Sequence, residues 1–86
     1  MDEILVLVKA RLGRLDTALD AYLTARIQAE IEELDTAGIH ITGSSRDTML
    51  VTDIVVWKYQ NRDKDTGMPE WLRLARRERF LQEGSL

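Results

Sequence analysis

The strongest helical pattern in the chain lies in residues 15–38, which read LDTALDAYLTARIQAEIEELDTAG. Its apolar side chains recur at three- and four-residue steps, at Leu15, Leu19, Tyr22, Leu23, Ile27, Ile31 and Leu34. This spacing puts them on one face of a helix with 3.6 residues per turn. Asp16 is a candidate N-cap, and Gly38 suits the left-handed position that commonly ends a helix. We therefore predict a long helix over Asp16–Ala37 with one buried face.

A shorter helix is predicted before it, over residues 2–12. Asp2 and Glu3 suit the positive end of a helix dipole, and Gly13 is a suitable C-terminal stop. The apolar run of residues 4–8 is also compatible with a strand. The helix-forming residues on both sides of that run favour a helix.

Two further helices are predicted in the second half of the chain. A third helix is capped by Ser45 or Asp47 and runs to about Arg62. Apolar residues surround most of it, so it is expected to be the most buried element. After a turn at residues 63–69, a fourth helix runs from Glu70 to about Gln82. The fold class predicted for residues 1–86 is all-α, a compact four-helix domain with a long second helix and a buried third helix.

Composition excludes several classes of protein. The 86 residues are 44% apolar and 31% charged, which is typical of a globular chain and not of a disordered one. There is no cysteine, so a disulfide scaffold, a thiolate metal site and a cysteine nucleophile are excluded. The net charge of −3 argues against a polycation that coats nucleic acid. No targeting or membrane-spanning segment is evident, so we expect a protein made in the cytosol with no membrane partner.

One segment imitates the start of a calcium-binding loop. Asn61, Asp63 and Asp65 occupy alternate positions, as calcium ligands do. The loop also requires glycine at its sixth position and glutamate at its twelfth. Those positions hold Thr66 and Leu72. We predict a polar turn and no metal site.

No other pattern supports catalysis or a cofactor. Helical carboxylate pairs such as Glu30 and Glu33 can bind metal in a bundle core when histidine partners them. The single histidine, His40, stands instead in the loop of residues 39–46. The glycines form no phosphate-binding pattern. We therefore predict no catalytic residues, no metal and no cofactor, and a protein that is not an enzyme.

The fourth helix carries an unusual concentration of arginine. Between Trp71 and Phe80 a single acid, Glu78, stands among four arginines: Arg73, Arg76, Arg77 and Arg79. Residues 1–43 have a net charge of −4 and residues 44–86 a net charge of +1. Acidic residues gather near the end of the second helix, at Glu30, Glu33 and Asp35. We predict that this acidic face of one copy meets the basic fourth helix of the next.

Other interpretations of the fourth helix stay open. Its arginines also suit contact with nucleic-acid phosphates, or a solvated face with internal Arg–Glu pairs. A small helical DNA-binding regulator that uses this helix is the alternative function. The fourth helix has too many apolar residues to present a polar face to the major groove of DNA, which disfavours that alternative. Trp57, Tyr59 and Trp71 are expected in the core, although Trp71 also suits an interface anchor.

Short motifs along the chain occur in a particular order. Val8-Lys9-x-Arg11-Leu12-Gly13 closes the first helix, and Leu19-Asp20-x-Tyr22-Leu23 with Ile27-x-x-x-Ile31 follows in the second. The third helix contains Thr52-Asp53-x-Val55-Val56-x-Lys58-Tyr59. Asn61-Arg62, Gly67-Met68-Pro69-x-Trp71-Leu72 and Arg76-Arg77 complete the series. From about Asp2 to Leu81, this order resembles the small head–tail connector (head-completion or adaptor) proteins of tailed bacteriophages and prophages.

The resemblance implies a structural role in the virion. Such proteins form a twelve-fold homo-oligomeric ring between the capsid portal and the tail or stopper protein, and DNA passes through it without sequence-specific binding. The implied location is the head–tail interface, after assembly from the bacterial cytoplasm. Residues 68–83 would face the portal, through Trp71, Arg73, Arg76, Arg77, Arg79 and Phe80. The loop of residues 39–46 would face the channel or the next ring, through His40, Thr42, Ser44, Ser45 and Arg46.

Overall fold

The computed structural model describes residues 2–64 and 67–84. These residues form four helices and no strand: α1 (Asp2–Leu12), α2 (Asp20–Thr36), α3 (Ser45–Gln60) and α4 (Glu70–Gly84). The predicted all-α fold with four helices is therefore confirmed. The first helix has the predicted bounds, and its apolar run is helical. None of the helices in the described ranges is long and apolar enough to span a membrane.

The third helix is the centre of the domain, as predicted. α3 contacts each of the other three helices, and α1 and α2 also pack on each other. Its buried apolar residues are Leu50, Val51, Ile54, Val55 and Val56. They pack in one core with buried residues of the other elements: Ile4, Val8, Leu23, Ile27, Leu34, Ile39 and Leu72.

The second helix begins four residues later than predicted. Asp16 does not cap it; its Oδ1 accepts a hydrogen bond from Ala18 N at 3.0 Å, within the turn that precedes the helix. Leu15 belongs to the same connection and is 96% exposed. The expectation that Leu15 lies on the buried face is therefore wrong. A short local bond satisfies the Asp16 side chain there, which is a common alternative to helix capping.

The second helix ends at the predicted glycine. Gly38 has φ +94°, and its N–H donates to Asp35 O at 3.0 Å. Ile39 N donates to Leu34 O at 2.8 Å, and both of these side chains are buried. This pair of hydrogen bonds is the Schellman motif, which requires a left-handed residue at Gly38. It directs the chain into the loop of residues 39–44.

The third helix is capped one residue before the predicted candidates. The side chain of Ser44 accepts a hydrogen bond from Asp47 N at 3.2 Å. Ser45 is therefore the first helical residue, and Asp47 lies in the first turn. The helix ends at Gln60, two residues before the predicted end, and α4 extends to Gly84.

The aromatic residues are less buried than predicted. Trp57 and Tyr59 are half-buried at the end of α3, and Tyr59 packs edge-on against Tyr22 with ring centroids 6.3 Å apart. Trp71 is 56% exposed. Its expected place in the core is wrong, because α4 turns Leu72, the next residue, toward α3 instead.

Candidate functional site

Among the described residues, α4 carries more exposed large apolar side chains than any other helix. Trp71, Leu74 and Leu81 are all exposed and lie at helical spacings of three and seven residues. Side chains at that spacing share one side of a helix. We call these three residues the α4 surface. Met49, also exposed, lines a depression of about 230 Å³ beside it, together with Ala75 and Glu78.

A second exposed apolar surface combines the middle of α1 with the connection that follows it. Val6 is exposed, and Leu15 projects almost completely into solvent from the α1–α2 connection. Both line a depression of about 270 Å³ with Ala10 and Arg14. We call Val6 and Leu15 the α1 surface. The apolar periodicity of residues 15–34 places Leu15 in α2 and does not indicate this surface, although Gly13 and Asp16 on either side of Leu15 both signal a connection.

The arginines of α4 occupy different environments. Arg73 and Arg77 are exposed and Arg76 is half-buried, whereas Arg79 is buried, with only 8% of its surface exposed. Arg79 Nε donates to Asp47 Oδ1 at 2.7 Å, and Nη2 donates to His40 O at 2.7 Å. Arg79 therefore joins α4 to α3 and to the preceding loop of its own chain. It does not belong to the exposed part of the predicted interface.

Asp47 is the acidic partner at the centre of this contact. Its Oδ2 accepts hydrogen bonds from Thr42 N at 2.8 Å and from Thr42 Oγ1 at 2.9 Å. Burial opposes the charged form of Asp47, but the hydrogen bonds from Arg79 and Thr42 outweigh it and lower the pKa of Asp47. The carboxylate therefore stays charged although it is buried.

The loop of residues 39–44 is held by contacts within the chain, and it is two residues shorter than predicted because Ser45 and Arg46 belong to α3. His40 N donates to Glu83 Oε1 at 3.0 Å, and His40 Nδ1 lies 2.5 Å from Asp35 Oδ1. The hydrogen bond to Asp35 raises the pKa of His40. Of the residues predicted to face a channel or a next ring, His40, Thr42, Ser44, Ser45 and Arg46, all are exposed. Thr42 and Ser44 hold the start of α3, and Arg46 lies 3.9 Å from Glu78.

Two glutamates near the C-terminal end of α2 form ion pairs with a lysine of the same chain. Glu30 is only 5% exposed, and its Oε1 lies 2.7 Å from Lys58 Nζ. Glu33 Oε2 accepts from the same ammonium at 3.1 Å. Burial lowers the pKa of Lys58, but Glu30 and Glu33 outweigh it and raise the pKa above its ordinary value. Of the predicted acidic face, Glu33 and Asp35 remain exposed.

The predicted acidic and basic faces meet within one chain. Glu30 and Glu33 of α2 line a depression of about 420 Å³ together with Arg73 and Arg76 of α4. α2 and α4 thus present their charges to a common groove. The sequence did not indicate this common groove, because α2 and α4 are far apart in the chain and each is positioned by its packing against α3.

Metal-binding geometry is not found in the part of the chain that the structure describes. No group of three or more histidine or carboxylate side chains there is placed to hold a metal ion. Asn61 and Asp63 of the calcium-like segment lie in a turn, and Asp65 lies outside the described residues.

Comparison of the chain with protein-family models, with curated proteins and with solved structures finds no match.

Proposed function

We propose that this chain is a non-enzymatic structural subunit of the neck of a tailed phage or prophage. Its subunits form a ring that joins the capsid portal to the tail or stopper protein and lets DNA pass. The resemblance over residues 2–81 motivates the proposal, and an all-α domain of four helices agrees with it. The observation that carries it is the pair of separate exposed apolar surfaces, on α1 and on α4.

Two different surfaces on one chain favour head-to-tail association. Within the described ranges α1 and α4 each pack against α3 and not against each other. The α1 surface and the α4 surface share no residue, so one copy can use both at once. Contacts between unlike surfaces repeat around an axis and close into a ring when the rotation allows it. Burial of apolar area stabilises such contacts by about 25 cal/mol per Å².

The charges beside the two surfaces are complementary. Arg14 lies next to Leu15 and lines the same depression as Val6. Its Nε is buried without a hydrogen-bond partner among the described residues. On α4, the exposed Glu78 lies between Leu74 and Leu81 in sequence and on the same side of the helix. Within the chain Arg14 lies 3.5 Å from Asp16, and Glu78 lies 3.9 Å from Arg46. Arg14 of one copy facing Glu78 of the next would replace these exposed internal pairs and fix the register of the contact.

The test is light scattering across a concentration series, alone and with the portal protein from the same genome. The wild-type chain is expected to form rings or to join the portal. Leu15→Gln and Leu74→Gln are each expected to block self-association, because each removes one of the two surfaces. Tyr22→Gln is the matched control, since Tyr22 is exposed but lies outside both surfaces. Circular dichroism confirms that all variants keep their helices.

Mixing the two variants distinguishes unlike surfaces from a symmetric contact. Each variant keeps the surface that the other lacks, so an equimolar mixture is expected to form pairs and no rings. A wild-type chain that forms a stable dimer indifferent to the portal contradicts the proposal. That outcome favours the small DNA-binding regulator, for which sequence-selective binding in a mobility-shift assay is the next measurement.

A further inference from the structure

Half of the twelve basic residues of this chain gather in one groove, although the net charge is −3. Two depressions, of about 420 and 370 Å³, have Lys58 as a shared lining residue. We call them together the basic groove. Its cations come from α2, from α3 and the turn after it, and from α4: Arg26, Lys58, Arg62, Lys64, Arg73 and Arg76.

The cations of the groove are mostly not neutralised by nearby acids. Glu30 and Glu33 are the carboxylates among its described lining residues, and both lie against Lys58. None of the other five basic side chains lies within 4 Å of a carboxylate of the described residues. Outside the groove the opposite holds, because every basic side chain except Arg77 has such a partner there: Lys9, Arg11, Arg14, Arg46 and Arg79. The unpaired positive charge is thus concentrated in one concave strip.

Aromatic side chains form part of the same strip. Tyr22, Trp57 and Tyr59 line the depression with Arg26 and Arg62. The Arg62 guanidinium lies 4.3 Å from the centre of the Tyr59 ring, which holds this cation at the wall of the groove. Grooves that combine cations with aromatic rings suit nucleic acid, since phosphates meet the charges and bases or sugars meet the rings.

Three backbone carbonyls at the end of α3 accept hydrogen bonds, which reduces their repulsion of an anion. Helix C-termini carry partial negative charge on unpaired carbonyls. Here Trp57 O accepts from both Asn61 N and Asn61 Nδ2, and Tyr59 O accepts from Arg62 Nη1. Asn61 O accepts from Lys64 N at 3.0 Å. The carbonyls of Trp57, Tyr59 and Asn61 therefore already have donors.

We infer that the basic groove binds the phosphate backbone of nucleic acid without sequence preference. This site is distinct from the α1 and α4 surfaces and goes beyond the proposed function. An isolated subunit contains the whole groove, so binding does not require a ring. Leu15→Gln is therefore expected to bind nucleic acid as the wild-type chain does, which separates failure of this inference from failure of ring assembly.

Fluorescence anisotropy with labelled random-sequence DNA, single- and double-stranded, tests the inference. Binding is expected with a dissociation constant of about 1–100 μM at physiological salt, and tighter at low salt. Arg26→Gln/Arg62→Gln is expected to weaken binding about tenfold or more and to reduce the salt slope by about 2. Arg46→Gln/Arg77→Gln removes the same charge outside the groove, and it is expected to leave both quantities close to wild type.

Three outcomes overturn the inference. One is the absence of binding by the folded wild-type chain even at low salt. Another is an equal loss of DNA affinity in the two double variants, which would indicate that DNA is attracted by the overall positive charge and not by the basic groove. The third is competition by polyglutamate as effective as that by DNA of equal charge, which would assign the groove to acidic proteins. Thermal unfolding by circular dichroism verifies that the double variants are folded.

Discussion

At the scale of single residues, the contact between Arg79 and Asp47 is the most consequential one outside the apolar core. It buries two opposite charges and connects α4 to the start of α3. Buried charges are tolerated when their hydrogen bonds are satisfied. Asp47 accepts from Thr42 and Arg79, and Arg79 also lies 3.0 Å from Glu83. An arginine that the sequence places among interface candidates is thus part of the framework.

Asp47→Asn is expected to destabilise the protein by about 1.5–3 kcal/mol at pH 7, because it removes charge-assisted hydrogen bonds and leaves the buried Arg79 with Glu83 as its carboxylate partner. The folded pKa of Asp47 is lowered. Its contribution to the free energy of unfolding is therefore complete above the unfolded pKa of about 3.9 and is lost as pH falls through the lower folded pKa. Urea unfolding measured from pH 7 down to acid is expected to show a weaker acid dependence in the variant.

The matched control is Asp63→Asn, which makes the same change at an exposed aspartate of the turn after α3. It is expected to alter the free energy of unfolding by less than about 0.5 kcal/mol. Equal stability of the Asp47 and Asp63 variants would contradict a structural role for the buried pair.

At the scale of elements, two glycines with positive φ end α1 and α2. Gly13 has φ +70° and open space where a side chain would lie. Gly38 has φ +94°, and a Cβ there would lie 3.1 Å from Cε2 of Phe80. Phe80 therefore rests on the C-terminal turn of α2 although it is partly exposed. This contact connects α4 to the C-terminal end of α2, in addition to the connection that Arg79 makes to Asp47 and His40.

Gly38→Ala is expected to cost more than Gly13→Ala. Both substitutions strain a left-handed backbone, for which alanine costs about 1 kcal/mol or more. Only the change at Gly38 also displaces the Phe80 ring. Chemical denaturation of both variants gives the difference, and Gly43→Ala, where φ is not positive and space is open, supplies the baseline. A Gly13 variant as unstable as the Gly38 variant would show that the Phe80 contact contributes nothing.

At the scale of the whole molecule, charge is distributed around α3 in a way that bears on assembly. Glu30 and Glu33 are engaged by Lys58, and Asp35 by His40. The exposed arginines of α4 have no carboxylate within 4 Å in the described ranges. The predicted charge pairing between copies would therefore join arginines of α4 that are unpaired to acids of α2 that already have partners within their own chain.

Reversal of Arg76 and Arg77 to glutamate is expected to abolish ring or portal association and to leave the helix content unchanged. Neither side chain has an ion pair on which α4 depends within the described residues. Light scattering measures the first quantity and far-UV circular dichroism the second. Arg26→Glu/Lys64→Glu carries the same change of charge away from α4, and its association is expected to persist. Association that survives the α4 reversal would leave apolar contact as the remaining basis for assembly.

The fold of this protein was largely predictable from local pattern. The sequence alone indicated four helices with α3 at the centre. The signals were local ones: helical periodicity, the glycine after each of the first two helices, and apolar residues around most of α3. Errors of a few residues arose at helix starts. Asp16 accepts from Ala18 N in the turn before α2 and does not cap that helix, and Ser44 caps α3 instead of Ser45 or Asp47.

Only the tertiary structure decided which of these residues are exposed and which are buried. Arg77 and Arg79 are the same residue type two positions apart, yet one is exposed and the other buried, because the phase of α4 against α3 sets which side faces inward. The basic groove likewise combines residues from α2, α3 and α4 that are distant in sequence. The type of each residue fixes its charge and its apolar character. Which residues come together on one surface depends on packing between distant segments, which no short segment determines.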